Sequence, residues 1–279
     1  MGDVIEAPSV PRAGTVRPEA GRSAALSVSN VSLVYAGGRG REVVALDRVS
    51  LDVSPNEFCV IVGPSGCGKS SLLYLIAGLN EATSGQMAVN GVSVHEPGPD
   101  RGMVFQGYTL FPWLTVRQNI EYGPKRQGMS AAERSGIVDR YLAEIGLTQF
   151  AEHYPAMLSG GMRQRVAIAR ALANDPGVLL MDEPFGALDS QTRATMQKLL
   201  LRIWEQHKKT VLFVTHDIDE ALLLGDRVVV MSARPGRIKA ELSIALPRPR
   251  SMDLALEPDF IALKRRILDL LRDEIDEEH

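Results

Sequence analysis

The run Gly63-Pro64-Ser65-Gly66-Cys67-Gly68-Lys69-Ser70 limits what this chain can fold into more than any other stretch. It fits G-x-x-x-x-G-K-[ST] at every fixed position. Before it, Phe58-Cys59-Val60-Ile61-Val62 reads as a buried strand. After it, Ser71-Leu72-Leu73-Tyr74-Leu75-Ile76-Ala77-Gly78 is apolar, compatible with a helix, and ends in glycine. Strand, glycine-rich loop and helix form the context in which this motif cradles phosphate. The glycines let backbone N–H groups wrap a triphosphate. The helix N-terminus adds unpaired donors and the positive end of its dipole. Lys69 is expected to reach the β- and γ-phosphates, and the Ser70 hydroxyl to meet Mg²⁺.

The bulk properties set outer limits. A chain of 279 residues allows one or two domains and a sizeable core. Apolar residues make up 45% and charged residues 23%, as in a soluble globular protein. The net charge of −3 is not that of a polycation, and no nucleic-acid partner is expected. Cys59 falls in the strand and Cys67 in the loop, so neither points to a disulfide framework or a metal cluster. For Cys67, a small side chain filling a loop position stands against a catalytic thiol, and no partner base is identifiable nearby. No stretch approaches 18 uninterrupted apolar residues. Met1 to Ala25 lacks the apolar segment of a secretory signal, and Glu6 stands where a myristoylation signal wants Ser or Thr. An intracellular protein is expected, reaching any membrane through a partner.

Along the chain, residues 1–24 carry Pro8, Pro11 and Pro18 among polar and small residues and read as a disordered tail. Leu26 to Tyr35 alternates apolar and polar, and Val43 to Val53 resumes strand character. Asn90-Gly91 marks a hairpin between Met87-Ala88-Val89 and Val92-Ser93-Val94. Gly102 to Gln106 is a short strand with a polar end. From Thr115 to Leu172 the pattern is helical. Strands at Gly177–Glu183, Val211–His216 and Arg227–Ser232 alternate with helices at Arg193–His207 and Asp219–Leu224. Alternation with strands apolar on both faces argues for a covered, largely parallel sheet. In residues 251–279, Phe260, Leu263, Ile267, Leu270 and Leu271 recur at helical spacing. That helix either packs on its own domain or a symmetry mate, or it regulates.

Two further motifs carry chemistry. Val178-Leu179-Leu180-Met181 ends in Asp182-Glu183. Asp182 is placed to hold Mg²⁺ opposite Ser70, which gives one of two adjacent like charges a partner. Glu183 can orient or deprotonate a water attacking the γ-phosphate. Leu158-Ser159-Gly160-Gly161-Met162 then opens a second helix with a second potential anion site. Two half-sites for one triphosphate suggest a head-to-tail dimer with nucleotide between the copies.

With these motifs in order, the sequence resembles the nucleotide-binding subunit of an ATP-binding cassette (ABC) transporter, over about Leu26 to Arg237. In that resemblance Gly63 to Ser70 is the Walker A loop, Gln106 the Q-loop glutamine and Leu158 to Met162 the signature. Val178 to Glu183 is Walker B, Gly186-Ala187-Leu188-Asp189 the D-loop and His216 the switch histidine. Tyr35 matches the aromatic that stacks on adenine, against an ordinary strand-end tyrosine. Met162 departs from the usual Gln, which puts any side-chain contact there in doubt, whereas Ser159 and the Gly161 N–H remain. Ser71 replaces a common Thr and keeps the hydroxyl. Phe111-Pro112-Trp113-Leu114, the signature through Arg165, and Ser232 to Ile238 resemble importers of nitrate, alkanesulfonates and taurine.

The resemblance implies an α/β fold. A P-loop NTPase (RecA-like) core carries an antiparallel β subdomain and an inserted α-helical signature subdomain at about 107–172. The whole ATPase domain spans 25–250, with a C-terminal helical extension at 251–279. It implies ATP and Mg²⁺ as cofactors. Lys69, Glu183 and His216 are the catalytic residues. Tyr35, Gly63, Pro64, Ser65, Gly66, Cys67, Gly68, Lys69, Ser70, Ser71, Gln106, Ser159, Gly160, Gly161 and Asp189 contact nucleotide, and Ser70, Gln106 and Asp182 serve Mg²⁺. The implied partners are a second ATPase subunit, in a homodimer that the two intact half-sites permit or in a heterodimer, integral-membrane permease subunits and, indirectly, a periplasmic or extracellular solute-binding protein. The place is peripheral, on the cytoplasmic face of the membrane. The exposed Phe111, Trp113 and Leu114 either dock a permease helix or cap the helical subdomain. Alternatives are an importer of another solute such as a thiamine-pyrimidine precursor, or a non-transport cassette ATPase acting on DNA or the ribosome. Against the latter, Lys69 to Ser159 is too short an interval for a long coiled-coil insert. A P-loop kinase leaves Leu158–Met162 and His216 unexplained, and a non-hydrolysing regulatory module is argued against by Glu183 and His216.

Overall fold

The computed structural model describes residues 24–36 and 42–276. All but the last residue of the tail expected at 1–24, and most of the turn expected after Tyr35, fall outside these. β1 (Leu26–Ala36), β2 (Glu42–Val53), β3 (Phe58–Val62) and α1 (Lys69–Ile76) open the fold. Next come β4 (Ser84–Val89), β5 (Val92–Ser93) and β6 (Arg101–Val104). The helices α2 (Val116–Arg126), α3 (Ala131–Glu144) and α4 (Gly160–Leu172) then intervene. β7 (Val178–Asp182), α5 (Ser190–His207), β8 (Thr210–Val214), α6 (Ile218–Leu224), β9 (Arg227–Met231), β10 (Ile238–Ser243) and α7 (Pro258–Asp276) complete it.

The strands form two sheets. One is antiparallel, in the order β2-β1-β4-β5. The Asn90-Gly91 turn between β4 and β5 has both residues at positive φ, 49° and 78°, as a tight hairpin demands. The larger sheet runs β10-β9-β3-β8-β7-β6, parallel from β9 to β6, with β10 added antiparallel at one edge.

Every residue of β3, β7 and β8 is buried. Because successive side chains point to opposite faces, each strand feeds two cores. Phe58, Val60, Val62, Leu179, Met181, Val211 and Phe213 pack with the helices on one face. Cys59, Ile61, Val178, Leu180, Leu212 and Val214 pack with α1 and the antiparallel sheet on the other. Helix α1 lies between the two sheets, which is why Leu72, Leu73, Leu75 and Ile76 are all fully buried rather than lying on a single stripe. Each of these side chains contributes about 1.5–3 kcal/mol by leaving water.

Helix α7 folds back on its own domain. Phe260 and Ile267 are fully buried, Leu263, Leu270 and Leu271 partly so, and Lys264 pairs with Asp219 of α6 at 2.7 Å.

Candidate functional site

The chain leaves β3 for the edge strand β6, returns through β7 and β8, and then crosses to β9 on the other side. β3 is therefore where the strand order reverses, and a ligand crevice is expected beyond the carboxyl ends of β3 and its neighbours. The phosphate-loop motif starts one residue past β3. Asp182 is the last residue of β7, and His216 follows β8 by two.

The loop is held by close backbone packing. Gly66 and Gly68 sit at φ 77° and 101°, where side chains are strained. A Cβ on Gly68 would lie 2.7 Å from Leu46 and 3.0 Å from the Ala45 carbonyl. Gly63 is packed against Cys67 and Met231, and the exposed Ser65 and Gly66 form the tip. Lys69 is buried, and its Nζ donates to the carbonyls of Gly63 and Pro64 at 2.9 Å each. Burial pushes the Cys67 thiol up, and pushes that of Cys59 up to about 12. Both thiols are free and buried, which leaves Cys67 as loop packing. Tyr35, at the end of β1, stands half exposed with its hydroxyl 3.3 Å from Ser71 Oγ, over the first turn of α1.

Both oxygens of the buried Asp182 are engaged. Ser70 Oγ donates to Oδ1 at 2.8 Å and Tyr74 OH to Oδ2 at 2.9 Å. The Tyr74 hydroxyl is pushed up to about 12 by burial and by this carboxylate. Sequence reasoning passed over Tyr74, although it lies four residues after Ser70 and so on the same helix face. Ser70 and Asp182 are hard oxygen donors. No group of three or more carboxylate, His or Cys side chains among the described residues could hold an ion alone. That suits Mg²⁺, which takes one or two protein ligands and completes its shell with phosphate and water.

Glu183 has left-handed backbone, φ 40°, and its N–H donates to Val214 of β8. This turns its side chain away from the strand. Oε2 lies 3.0 Å from His216 Nδ1 and, in a longer contact, 3.5 Å from Gln106 Nε2. Residues following β6, β7 and β8 thereby converge on one carboxylate.

The second glycine segment lies elsewhere. Ser159 caps α4, its hydroxyl accepting from Met162 N at 3.3 Å. Room for close approach explains both glycines: a Cβ on Gly161 would meet Thr192 at 2.6 Å, and one on Gly160 the Tyr108 hydroxyl at 2.9 Å. The Met162 side chain turns partly into the core. Asp189 caps α5, accepting from Thr192 N at 3.0 Å, and that bond holds its carboxyl below the ordinary value. Among the described residues no hydrogen bond joins Ser159–Met162 to Gly63–Ser70.

Comparison with known proteins places the chain in a family. The ABC transporter family matches residues 46–186. The nitrate import ATP-binding protein NrtD of Synechocystis is 50% identical over 259 residues, covering 91% of this chain and 97% of its own. The taurine import ATP-binding protein TauB of Jannaschia is 45% identical over 253 residues, covering 89% and 94%. A dimeric, post-hydrolysis structure of the ATP-binding cassette MJ0796, bound to ADP and Pi, superposes with a TM-score of 0.70 at 36% identity over 80% of this chain and 100% of its own. With the phosphate loop at the end of β3, the carboxylates at the end of β7 and these relatives along most of its length, the chain belongs to the ABC transporter family, as one of its ATP-hydrolysing cassettes.

Proposed function

We propose that the chain energises an importer of a small solute of the nitrate, sulfonate or taurine kind, from the cytoplasmic face of the membrane. The carrying observation is the convergence of Gln106 and His216 on Glu183, which follows directly on the Asp182 that takes the Ser70 hydroxyl of the Gly63–Ser70 loop. No helix among the described residues is long and apolar enough to cross a membrane. Likeness to import ATP-binding proteins supports separate permease subunits as the path for solute. A solute-binding protein outside the membrane would deliver the solute. An importer of a thiamine-pyrimidine precursor is the second solute reading.

In this reading Tyr35 stacks on adenine, with Ser71 beneath it. The N–H groups of Gly63 to Ser70 and the Lys69 ammonium hold the phosphates. Ser70, Asp182 and Gln106 would hold Mg²⁺, which would supply charge neutralisation at the phosphates. Tyr74 keeps the Asp182 carboxylate turned toward Ser70. Glu183 accepts the proton of the attacking water at its carboxylate, and His216 contacts the γ-phosphate while fixing Glu183 through Oε2. Ser159, Gly160 and Gly161 of a second copy, with Asp189 beside them, close the site. Phosphoryl transfer asks mainly for positioning and charge neutralisation, and these groups supply both.

The permease would dock on the aromatic cluster after Gln106. Phe111 lies 4.5 Å from Tyr122 and 5.7 Å from Trp113 between ring centroids, and Trp113 is 70% exposed. Trp113, Leu114, Gln118, Glu121, Tyr122, Lys125 and Arg126 line an open groove that mixes aromatic, aliphatic and charged side chains, as an amphipathic cytoplasmic helix would require. In vesicles holding the chain assembled with its permease, Trp113→Ala is expected to abolish solute uptake. The isolated subunit's basal hydrolysis should stay unchanged. Equal losses in both would contradict the docking role.

A further inference from the structure

The Glu183–His216 pair joins two segments, and one guanidinium grips both of them farther along. Glu183 begins a stiff turn: Gly186 N donates to its carbonyl at 3.1 Å, and Leu188 N donates to the Phe185 carbonyl at 3.1 Å. Phe185 anchors that turn, fully buried against Phe213 of β8 with centroids 5.8 Å apart. Arg193, in the first turn of α5, donates from Nη2 to the Leu188 carbonyl at 3.2 Å, where the turn ends. From Nη1 it donates to Asp217 Oδ2 at 3.3 Å.

Asp217 directly follows His216 and is itself fixed. Its Oδ1 accepts from Glu220 N at 3.1 Å, capping α6, and its N–H donates to Thr215 Oγ1 at 3.0 Å. The neighbouring Glu220 carboxylate is taken up by Gln197 Nε2 at 2.9 Å, which leaves Asp217 as the carboxylate that receives Arg193. Glu183, Gly186, Arg193, His216 and Asp217 line one small cleft. Two separate nitrogens reaching two acceptors is a use of the arginine fork that a lysine cannot copy.

We propose that Arg193 is a positioning residue for hydrolysis: it ties the segment leaving Glu183 to the segment leaving His216 and so holds the two side chains in register. The inference rests on the roles given to Glu183 and His216 above. Arg193 bonds to the Leu188 carbonyl and Asp217 and to no residue of the Gly63–Ser70 loop, so the expected effect is on turnover and not on binding.

The test is ATP hydrolysis by the full chain carrying Arg193→Ala, Asp217→Asn and both, with Glu183→Gln alongside. Each of the first two should lower kcat about tenfold while KM for ATP stays within about twofold, and the double variant should be no slower than the slower single. If Arg193→Ala does not fold, Arg193→Lys takes its place with the same expected loss. Full kcat in the Arg193 variant, additive losses in the double variant, or KM rising in step would overturn the inference. If Glu183→Gln keeps near-normal turnover, the assignment of the pair falls and this inference with it. If Glu183→Gln is inactive and the Arg193 variant is not impaired, the inference alone falls.

Discussion

One turn beyond His216, Glu220 is buried, and desolvation pushes its carboxyl above the ordinary value of 4.5. A raised value in the folded state means that folding favours the protonated form. The stability this lends is fully present below the unfolded carboxyl value and fades as the pH rises through the folded one. Glu220→Gln carries no such slope, and its amide oxygen can still accept from Gln197. The variant is therefore expected to melt progressively higher relative to wild type as the pH is raised from 4.5 toward neutral. Thermal melts across that range check this, and a difference that does not change with pH would contradict it. Residues of this kind are hard to see in a sequence. Gly63–Ser70, Asp182, Glu183 and His216 could be proposed from the sequence because the chemistry expected of them fixes residue type and local context together. Glu220, Arg193 and Tyr74 act through side chains that meet only after β7, β8 and α5 are assembled. Of these, Tyr74 alone left a local sign, its spacing of four from Ser70.

At the scale of elements, α7 was readable as a helix from Phe260, Leu263, Ile267 and Leu270, but its seat on α6 was not. Two contributions hold it there. The Lys264–Asp219 pair has both side chains about 40% exposed, and such pairs are worth about 0–1 kcal/mol. Phe260 is fully buried, and removing a buried aromatic costs about 3–5 kcal/mol. Packing is thus the larger effect. Phe260→Ala should lower stability by about 3–5 kcal/mol in chemical denaturation, against at most about 1 kcal/mol for Lys264→Ala. Similar small losses in both would contradict a packed seat.

Strand β10 was missed. Ile238, Ala240 and Leu242 alternate with Lys239 and Glu241, but over too few residues to stand out beside a Pro-Gly loop. The helical middle was visible as a block and not as three helices. Thr115-x-x-Gln118 and Ser130-x-x-Glu133 are capping boxes that mark the starts of α2 and α3.

For the whole molecule, the telling feature is that two glycine-bearing segments each open a helix, Gly63–Ser70 at α1 and Ser159–Gly161 at α4. Ser159–Gly161 opens α4 beside Thr192, and no hydrogen bond among the described residues links it to the phosphate loop of its own chain. The sequence carries two potential anion-binding helix starts for one triphosphate, and the fold gives the second its own neighbours, Thr192 and Tyr108. A cassette that needs its partner's helix to enclose nucleotide acts as one jaw of a clamp. In the function proposed above, ATP would draw the jaws together, and hydrolysis with Glu183 as base would let them part. Light scattering on the Glu183→Gln chain with Mg²⁺ and ATP tests this most directly. The account predicts a stable dimer with ATP and a monomer with ADP or without nucleotide. A chain that stays monomeric under saturating ATP, or dimerises equally without it, would contradict it.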